Sequence, residues 1–387
     1  MKSAKTLFCS LGLVLALGLD AAAAPAIQDQ PSGTPIEQGL WYLYHLQYDE
    51  SRRLFNQYID INPQDPAGYF YRTAADWWQL AQQFDRSLPE IQARLDSDYQ
   101  ETVRVAGRLI ESSAQTDGKT RGLACLYSGG AQGLMGRWLV TQRQWMKAYF
   151  LGKSGHKMLK RALKYDPTLY DAYLGLGIYD YFTDTLGGVQ KVLAAVLIRG
   201  DRKRGLRELQ IAIDKSKNAR VEAMTFLIEI YTWEEDTPEK ALPLAQALHK
   251  EFPKSPAMHL AEILDHYELK NWNEVWNQSL DYLQKSETET PYYKKEGVLP
   301  AWYCLGVSSF FGKHDLDSAA GYMDKIVANS DDYSRWRTFA FLRLGQIADV
   351  KKNRDKALDY YKKVLNRPNF WGSHAEAERY TKEAFHT

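Results

Sequence analysis

The chain has 387 residues, of which 45% are hydrophobic and 25% are charged. Its 49 basic and 48 acidic residues give a formal net charge of +1, which argues against a nucleic-acid coat protein and against strong attraction to anionic membranes. Beyond the first 26 residues it has two cysteines, Cys125 and Cys304, which are too few for a disulfide scaffold. We expect two separately buried thiols.

Residues 1–26 have the pattern of a secretory signal peptide. Lys2 and Lys5 precede an apolar run from Leu7 to Leu19, and small residues follow up to Ala26. The apolar run is too short for a permanent membrane span, and no later stretch is long enough for one. We expect cleavage after Ala26 or Ala23 and export of residues 27–387 to the periplasm or beyond.

Helical segments follow along the chain, separated by prolines and Leu-Gly pairs. Residues 36–150 show this pattern only loosely: one helical segment ends before Pro63 and Pro66, and residues 80–145 fit least. Residues 150–183 are more regular, because a helix ending at Asp166-Pro167 is followed by a new opening at Leu176-Gly177. The apolar stretch 186–198 predicts an inserted helix.

Residues 222–371 repeat one pattern most clearly. Its last copy contains Phe341, Leu344, Gly345, Ala357, Tyr361, Val364 and Pro368. Two antiparallel helices can cross closely at Gly345 and Ala357 while the larger side chains fill the wedge between them, and Pro368 ends the second helix. The Leu-Gly pair recurs at Leu305-Gly306, 39 residues upstream of Gly345.

This pattern resembles the tetratricopeptide repeat, a helical hairpin of about 34 residues, over most of residues 27–387. The resemblance implies an all-α solenoid of antiparallel helical hairpins that form a right-handed superhelix. One hairpin cannot bury its apolar face alone, so each packs on its neighbours, and we expect one elongated domain. The resemblance also implies that the first helices of the hairpins line a concave groove, where a partner binds.

Apolar packing indicates which first-helix residues face this groove. In the hairpin that opens at Glu222, we expect Met224, Leu227 and Tyr231 in the core, which leaves the opposite face to the groove. The expected groove residues are Asp171, Tyr181, Glu222, Thr225, Glu229, Trp233, Met258, Glu262, His266, Tyr303 and Phe310. Such a groove, acidic in its middle and aromatic at its sides, suits a peptide or a polar ligand with basic groups. Solvated charges and core aromatics would give the same pattern.

The best catalytic candidates are four carboxylates, Asp180, Glu222, Glu229 and Glu262, which could divide acid and base roles as in glycoside hydrolysis. Nothing in the sequence fixes their separation. A metal could be held by His259, Glu262 and His266, but no second ligand cluster supports such a site. There is no H-E-x-x-H helix, nucleophile elbow or phosphate-binding loop. We therefore predict no catalytic residue, no metal site and no cofactor.

Two further segments have simple structural explanations. Residues 128–136 are rich in glycine but lack the Lys-Ser/Thr ending of a phosphate-binding loop, so we expect close helix packing there. Residues 199–207 are basic and could dock an acidic partner, although a solvated helix start explains them equally well.

The sequence thus predicts an exported, non-catalytic scaffold that binds a protein or peptide of the cell envelope and no nucleic acid. The alternative is a periplasmic ligand-binding protein or enzyme that acts on a saccharide or peptide, with Glu222, Glu229 and Glu262 as its acids.

Overall fold

The structure is a computed structural model that describes residues 31–82, 88–112, 117–185 and 200–386. Within these ranges the chain is all α-helical, with short π-helical and 3-10 turns and no β-strand. This confirms the predicted all-α helical-repeat fold. The signal peptide at 1–26 and the insertion at 186–198 lie outside the described residues, so both stay predictions.

The chain divides into two compact units. The N-terminal unit comprises residues 27–81 and 88–230. Its helices are α1 Pro35–Tyr44, α2 Tyr48–Ile61, α3 Pro66–Gln82, α4 Pro89–Glu111, α5 Gly118–Thr141, α6 Trp145–Tyr165, α7 Ala172–Thr185, α8 Arg202–Lys215 and α9 Arg220–Glu229. The odd-numbered helices are the first helices of hairpins, and the even-numbered ones are the second helices.

The main segment of the C-terminal unit is Tyr231–Thr387. Its helices are α10 Pro238–Glu251, α11 Pro256–Glu268, α12 Trp272–Thr288, α13 Leu299–Val307, α14 Leu316–Ala328, α15 Arg335–Val350, α16 Arg354–Leu365 and α17 Ser373–Lys382. Two π-helical turns, Ile230–Glu234 and Ser308–Gly312, follow α9 and α13, and a 3-10 turn, Lys295–Val298, precedes α13. Here the first helices of the complete hairpins are α11, α13 and α15.

The same turn recurs between the first and second helices of several hairpins. One residue of each turn has a left-handed backbone conformation; these residues are Leu46, Arg143, Lys270, His314 and Lys352, with φ between 56° and 59°. In four of the turns the next amide donates to the carbonyl five residues earlier, at 2.8–2.9 Å, as in Gln47 to Tyr42 and Gln144 to Leu139. The turns after α1 and α5 show that the loosely patterned region 36–150 contains the same kind of hairpin.

The close helix crossing predicted at Gly345 is present. A methyl group on Gly345 would overlap the ring of Tyr361, which is fully buried on the facing helix α16. Ala357 and Val364 are buried in the same cluster, and Phe341 packs partly against it. The missing side chain at Gly345 therefore lets α15 and α16 approach each other.

Two glycines of residues 128–136, Gly129 and Gly136, lie against the backbone of α6, as the prediction of close helix packing requires. A methyl group on Gly129 in α5 would lie 2.9 Å from the carbonyl oxygen of Gly155 in α6. The two thiols expected to be buried separately, Cys125 and Cys304, are free and buried, one in each unit. Among the described residues, no helix is both long enough and apolar enough to cross a membrane.

Candidate partner-binding surfaces

The predicted groove residues fall into both units, and their exposure differs widely. Tyr181, Met258 and Phe310 are at most 1% exposed, so these three side chains belong to the core. Tyr181 packs over Gly205 of α8. Phe310 lies in the second π-helical turn, where an extra residue shifts the register expected of a continuous α-helix. The prediction that these three residues line a groove is therefore wrong.

In the N-terminal unit, an arginine that the sequence analysis did not select lies among the predicted acids. The Arg137 guanidinium in α5 lies 4.6 Å from the Trp77 ring centroid and 4.3 Å from that of Phe226. Glu222 and Glu229 of α9 attract it electrostatically. The two glutamates predicted as groove acids therefore share a cation held between aromatic rings.

The carboxyl group of Glu222 is strongly perturbed by burial. Burial raises its pKa from 4.5 to about 7, against the opposing effects of a Trp78 hydrogen bond and the Arg137 charge. The Trp78 indole donates to Glu222 Oε1 at 2.6 Å. A carboxyl with this pKa can exchange a proton near neutrality, and the Arg137 charge favours its ionised form, which cannot act as a general acid.

Asp171 and Thr225 make hydrogen bonds to the backbone. Asp171 accepts from the amides of Asn218, at 2.8 Å, and Lys217, at 3.3 Å, and so fixes the turn between α8 and α9. Asn218 donates in turn to the Tyr71 hydroxyl of α3 at 2.9 Å. Thr225 donates to the carbonyl of Val221 at 2.9 Å within its own helix. Asp171 therefore has a structural role in the N-terminal unit.

In the C-terminal unit, Glu262 of α11 lies between two histidines. Its Oε2 is 2.6 Å from His249 Nδ1, and its Oε1 is 3.8 Å from His266 Nε2. Burial raises the pKa of Glu262, but the His249 hydrogen bond and the nearby His266 outweigh it and hold the pKa well below its usual range. Because Glu262 is only 7% exposed, these two histidines are the main partners of its carboxylate.

His259 makes a separate set of contacts. It is fully buried, with Nδ1 3.1 Å from the Tyr293 hydroxyl and Nε2 3.1 Å from Gln278 Oε1, and its ring stacks on His249 at 4.2 Å. Burial and the neighbouring His249 lower its pKa to about 3. Both ring nitrogens of His259 are thus turned to Tyr293 and Gln278, while Glu262 contacts His249 and His266. No metal-binding group of three such residues occurs in the described ranges.

A second arginine missed by the sequence analysis lies on the first helices of the C-terminal unit. Arg343 of α15 donates to the hydroxyls of Tyr303, at 3.0 Å, and Tyr267, at 3.2 Å, and to Gln346 Oε1 at 2.7 Å. Its guanidinium also lies 5.5 Å from the Phe311 ring centroid. We call these five residues the Arg343 surface. Predicted groove residue Tyr303 belongs to it, and Trp233 remains half-buried elsewhere in the unit.

The Arg343 cation has no direct ion pair with a carboxylate of the described residues. Its three partners are neutral, and Glu376 acts on it only through longer-range attraction. The sequence did offer a signal, because Arg343 interrupts the apolar run 339–344 of α15. A charged residue within a packed first helix needs a partner, either inside the protein or from outside.

Comparison with protein-family models identifies one repeat. Residues 339–369, which span most of α15 and all of α16, match the tetratricopeptide repeat model. A comparison with curated protein sequences gives no match.

Comparison with solved structures gives similarities at low sequence identity. A human IFIT1 dimer with PPP-AAAA is 11% identical at a TM-score of 0.45, covering 92% of this chain and 84% of that one. Yeast Tom70 is 10% identical at 0.35, covering 90% and 88%. The C-terminal part of a tetratricopeptide-repeat protein from Cytophaga hutchinsonii is 13% identical at 0.30, covering 88% and 98%.

Proposed function

We propose that this chain, which belongs to the tetratricopeptide-repeat superfamily, is a non-catalytic scaffold that binds a protein or peptide segment at the Arg343 surface. A general role in protein interaction follows from the repeat family. The position of the binding surface, the absence of catalysis and the chemistry of the partner are our proposal.

The lack of a direct ion pair at Arg343 among the described residues is the observation that carries this proposal. A half-buried guanidinium attracts an anion strongly, and carboxylates are the anions that protein partners supply most often. Tyr267 and Phe311, which are partly exposed, add aromatic surface around it, and the buried Tyr303 holds the guanidinium from below. We therefore infer that the partner presents an acidic side chain or a terminal carboxylate to Arg343.

The predicted acidic groove is a weaker candidate for the binding surface. Glu262 is matched by His249 and His266, and Glu222 and Glu229 are attracted to Arg137. These pairings also leave no free acid and base at a fixed separation for hydrolysis. Binding through Thr225, Glu229 and Trp233 stays a prediction, as do export and a partner in the cell envelope.

The test is capture of partners from envelope extract on immobilised residues 27–387, with Arg343→Met and Arg379→Met as variants. Methionine retains the apolar stem and removes the charge; Arg379 is exposed on α17 of the same unit and serves as the matched control. We expect the captured partner to bind Arg343→Met about 10-fold to 100-fold more weakly and the control normally. Equal binding by all three chains would show that the partner binds at a surface other than the Arg343 surface. Retention of small molecules alone would favour a ligand-binding protein or an enzyme.

A further inference from the structure

Helix α6 exposes an unusual amount of apolar surface for a second helix. Six large hydrophobic side chains are exposed among the described residues, and three of them lie on α6. They are Met146 at 57%, Phe150 at 60% and Tyr165 at 37% exposure. Single exposed apolar residues are common, but a concentration on one helix indicates a contact with something outside the protein.

The same helix is strongly basic. Its 21 residues include six lysines or arginines and no aspartate or glutamate. Exposed positions recur at alternating intervals of four and three residues, which places them along one side of the helix. These positions are Met146, Phe150, Lys153, Lys157, Lys160 and Lys164. We call this set the α6 basic face.

The lysines of the α6 basic face form no ion pair with carboxylates in the described part of the chain. Several lysines in the C-terminal unit differ in this respect. Lys363 binds Asp359 at 2.7 Å within α16, and Lys285 binds Asp281 at 3.0 Å within α12. The positive charge of α6 is therefore not cancelled along the helix itself.

The neighbouring second helix adds to this charge. His156 of α6 and Arg204 of α8 both contact Asp180 of α7, and Lys160 of α6 is attracted electrostatically to the Glu208 carboxyl of α8. Two more basic residues, Lys203 and Arg207, are exposed at the start of α8. The basic surface of the N-terminal unit thus extends over two adjacent second helices.

We propose that the α6 basic face docks on an anionic lipid surface. Lysines attract anionic headgroups, while Met146 and Phe150, aligned with them, enter the boundary between headgroups and acyl chains. An acidic protein would satisfy the charges but gives no reason for a continuous line of exposed apolar side chains at one end of the basic row. This membrane contact is separate from the Arg343 surface in the other unit.

The near-neutral charge of the whole chain conceals this local asymmetry. The formal net charge is +1, although α6 alone carries six basic residues and no acidic one. Electrostatic attraction to a membrane falls off within about one Debye length, roughly 10 Å at moderate salt, so the facing surface matters more than the total. A near-neutral total charge is therefore compatible with attraction of this face to an anionic membrane.

The test is cosedimentation of the full chain with vesicles of phosphatidylcholine alone or mixed equally with phosphatidylglycerol. We expect binding to the mixed vesicles only, weakened by added salt. Lys153→Glu, Lys157→Glu, Lys160→Glu in one chain should weaken it at least about 100-fold, and Met146→Ser with Phe150→Ser about tenfold or more. The matched control, Lys325→Glu, Lys356→Glu, Lys362→Glu, changes the charge equally on exposed positions of the C-terminal unit and should bind normally.

Three results would overturn the proposal: no binding to anionic vesicles, equal binding to both vesicle types, or equal loss in the α6 variant and its control. Circular dichroism of each variant establishes that it is folded, which is expected because every changed side chain is exposed. Since Arg343 is unchanged in all variants, partner capture by the folded α6 variant separates failure of this proposal from failure of the proposed function.

Discussion

Ionisable side chains inside each unit determine how its stability depends on pH. Glu222 is the clearest case in the N-terminal unit, because its pKa is raised from 4.5 to about 7. A carboxyl whose pKa is higher in the folded state contributes stability that is complete below the unfolded pKa. This stability is lost as the pH rises through the folded pKa. We therefore expect the N-terminal unit to lose stability between pH 4.5 and 7.

Glu222→Gln should remove this loss. The amide oxygen can still accept the Trp78 hydrogen bond, and it carries no charge that must be buried. When the pH rises from 5 to 8, the unfolding free energy of the variant should increase by about 1 kcal/mol relative to that of the natural chain. This value is reduced because the side chain is only half-buried. Denaturant unfolding at both pH values measures it. Glu111→Gln, at an exposed site, is the control, and an unchanged pH dependence in Glu222→Gln would contradict the expectation.

His259 predicts the opposite pH dependence for the C-terminal unit. Its pKa falls from 6.5 to about 3 on folding, so the stability it contributes is present above pH 6.5 and is lost as the pH falls toward 3. His259→Gln should be less stable at pH 7 but lose about 2 kcal/mol less than the natural chain between pH 7 and pH 4. His314→Gln, at an exposed position, provides the comparison. Parallel pH profiles of the natural chain and His259→Gln would contradict this account.

At the residue scale, the sequence allowed the acidic candidates to be predicted but not their partners. Helical periodicity predicts that Glu222 and Glu262 face the groove. Their pairing with Arg137, His249 and His266 depends on contacts between separate elements. Periodicity describes one helix at a time and does not say which residue of another helix faces it. For this reason, the sequence predicts a free acidic surface where the structure has carboxylates paired with basic residues.

At the element scale, the left-handed residue in the recurring turn between first and second helices should lower the unfolding free energy, and this can be tested. Lys352 has φ near 59°, a conformation that is unfavourable for a residue with a side chain and neutral for glycine. Lys352→Gly should therefore stabilise the C-terminal unit by about 1 kcal/mol. Lys362→Gly, in the interior of α16, should destabilise it by about the same amount. Thermal unfolding of both variants decides the matter; loss of stability in both would show that the turn gains nothing from glycine.

The left-handed turn residue does not distinguish the hairpins that the sequence reveals from those that it hides, because Lys270, His314 and Lys352 of the clearly patterned region also lack the glycine or asparagine signal. Residues 222–371 were recognised from Leu-Gly pairs and spaced aromatic residues. The hairpin turns after α1 and α5 use Leu46 and Arg143 at the left-handed position, where glycine or asparagine would have been the sequence signal. The π-helical turns are likewise invisible to a pattern with a fixed period of 3.6, and Phe310 was misplaced for that reason.

At the scale of the whole molecule, a repeat protein made of two compact units should respond locally to damage. Gly345→Ala forces a methyl group against the buried Tyr361 ring, and we expect a loss of about 2 kcal/mol. Since hairpins are stabilised chiefly by their neighbours, faster amide exchange should be confined to residues 231–386. Hydrogen exchange followed by mass spectrometry measures this.

Gly321→Ala is the control for this experiment. Gly321 is a helix-interior glycine of the same unit with open space where a methyl group would lie, so alanine should stabilise α14 by up to about 1 kcal/mol. Uniformly faster exchange in α1–α8 of the Gly345→Ala chain would show that the two units unfold together. Exchange unchanged everywhere would show that Tyr361 can move aside.

The hydrogen bonds from α3 to α9 and to the turn before it have an evolutionary consequence. Trp78 reaches Glu222, and Tyr71 reaches Asn218, although these pairs are separated by 144 and 147 residues. An array whose early and late members touch has a fixed number of members between them. Duplicating or deleting a hairpin between α3 and α9 would break both bonds at once. A change in the number of hairpins is therefore disfavoured within this stretch of the chain.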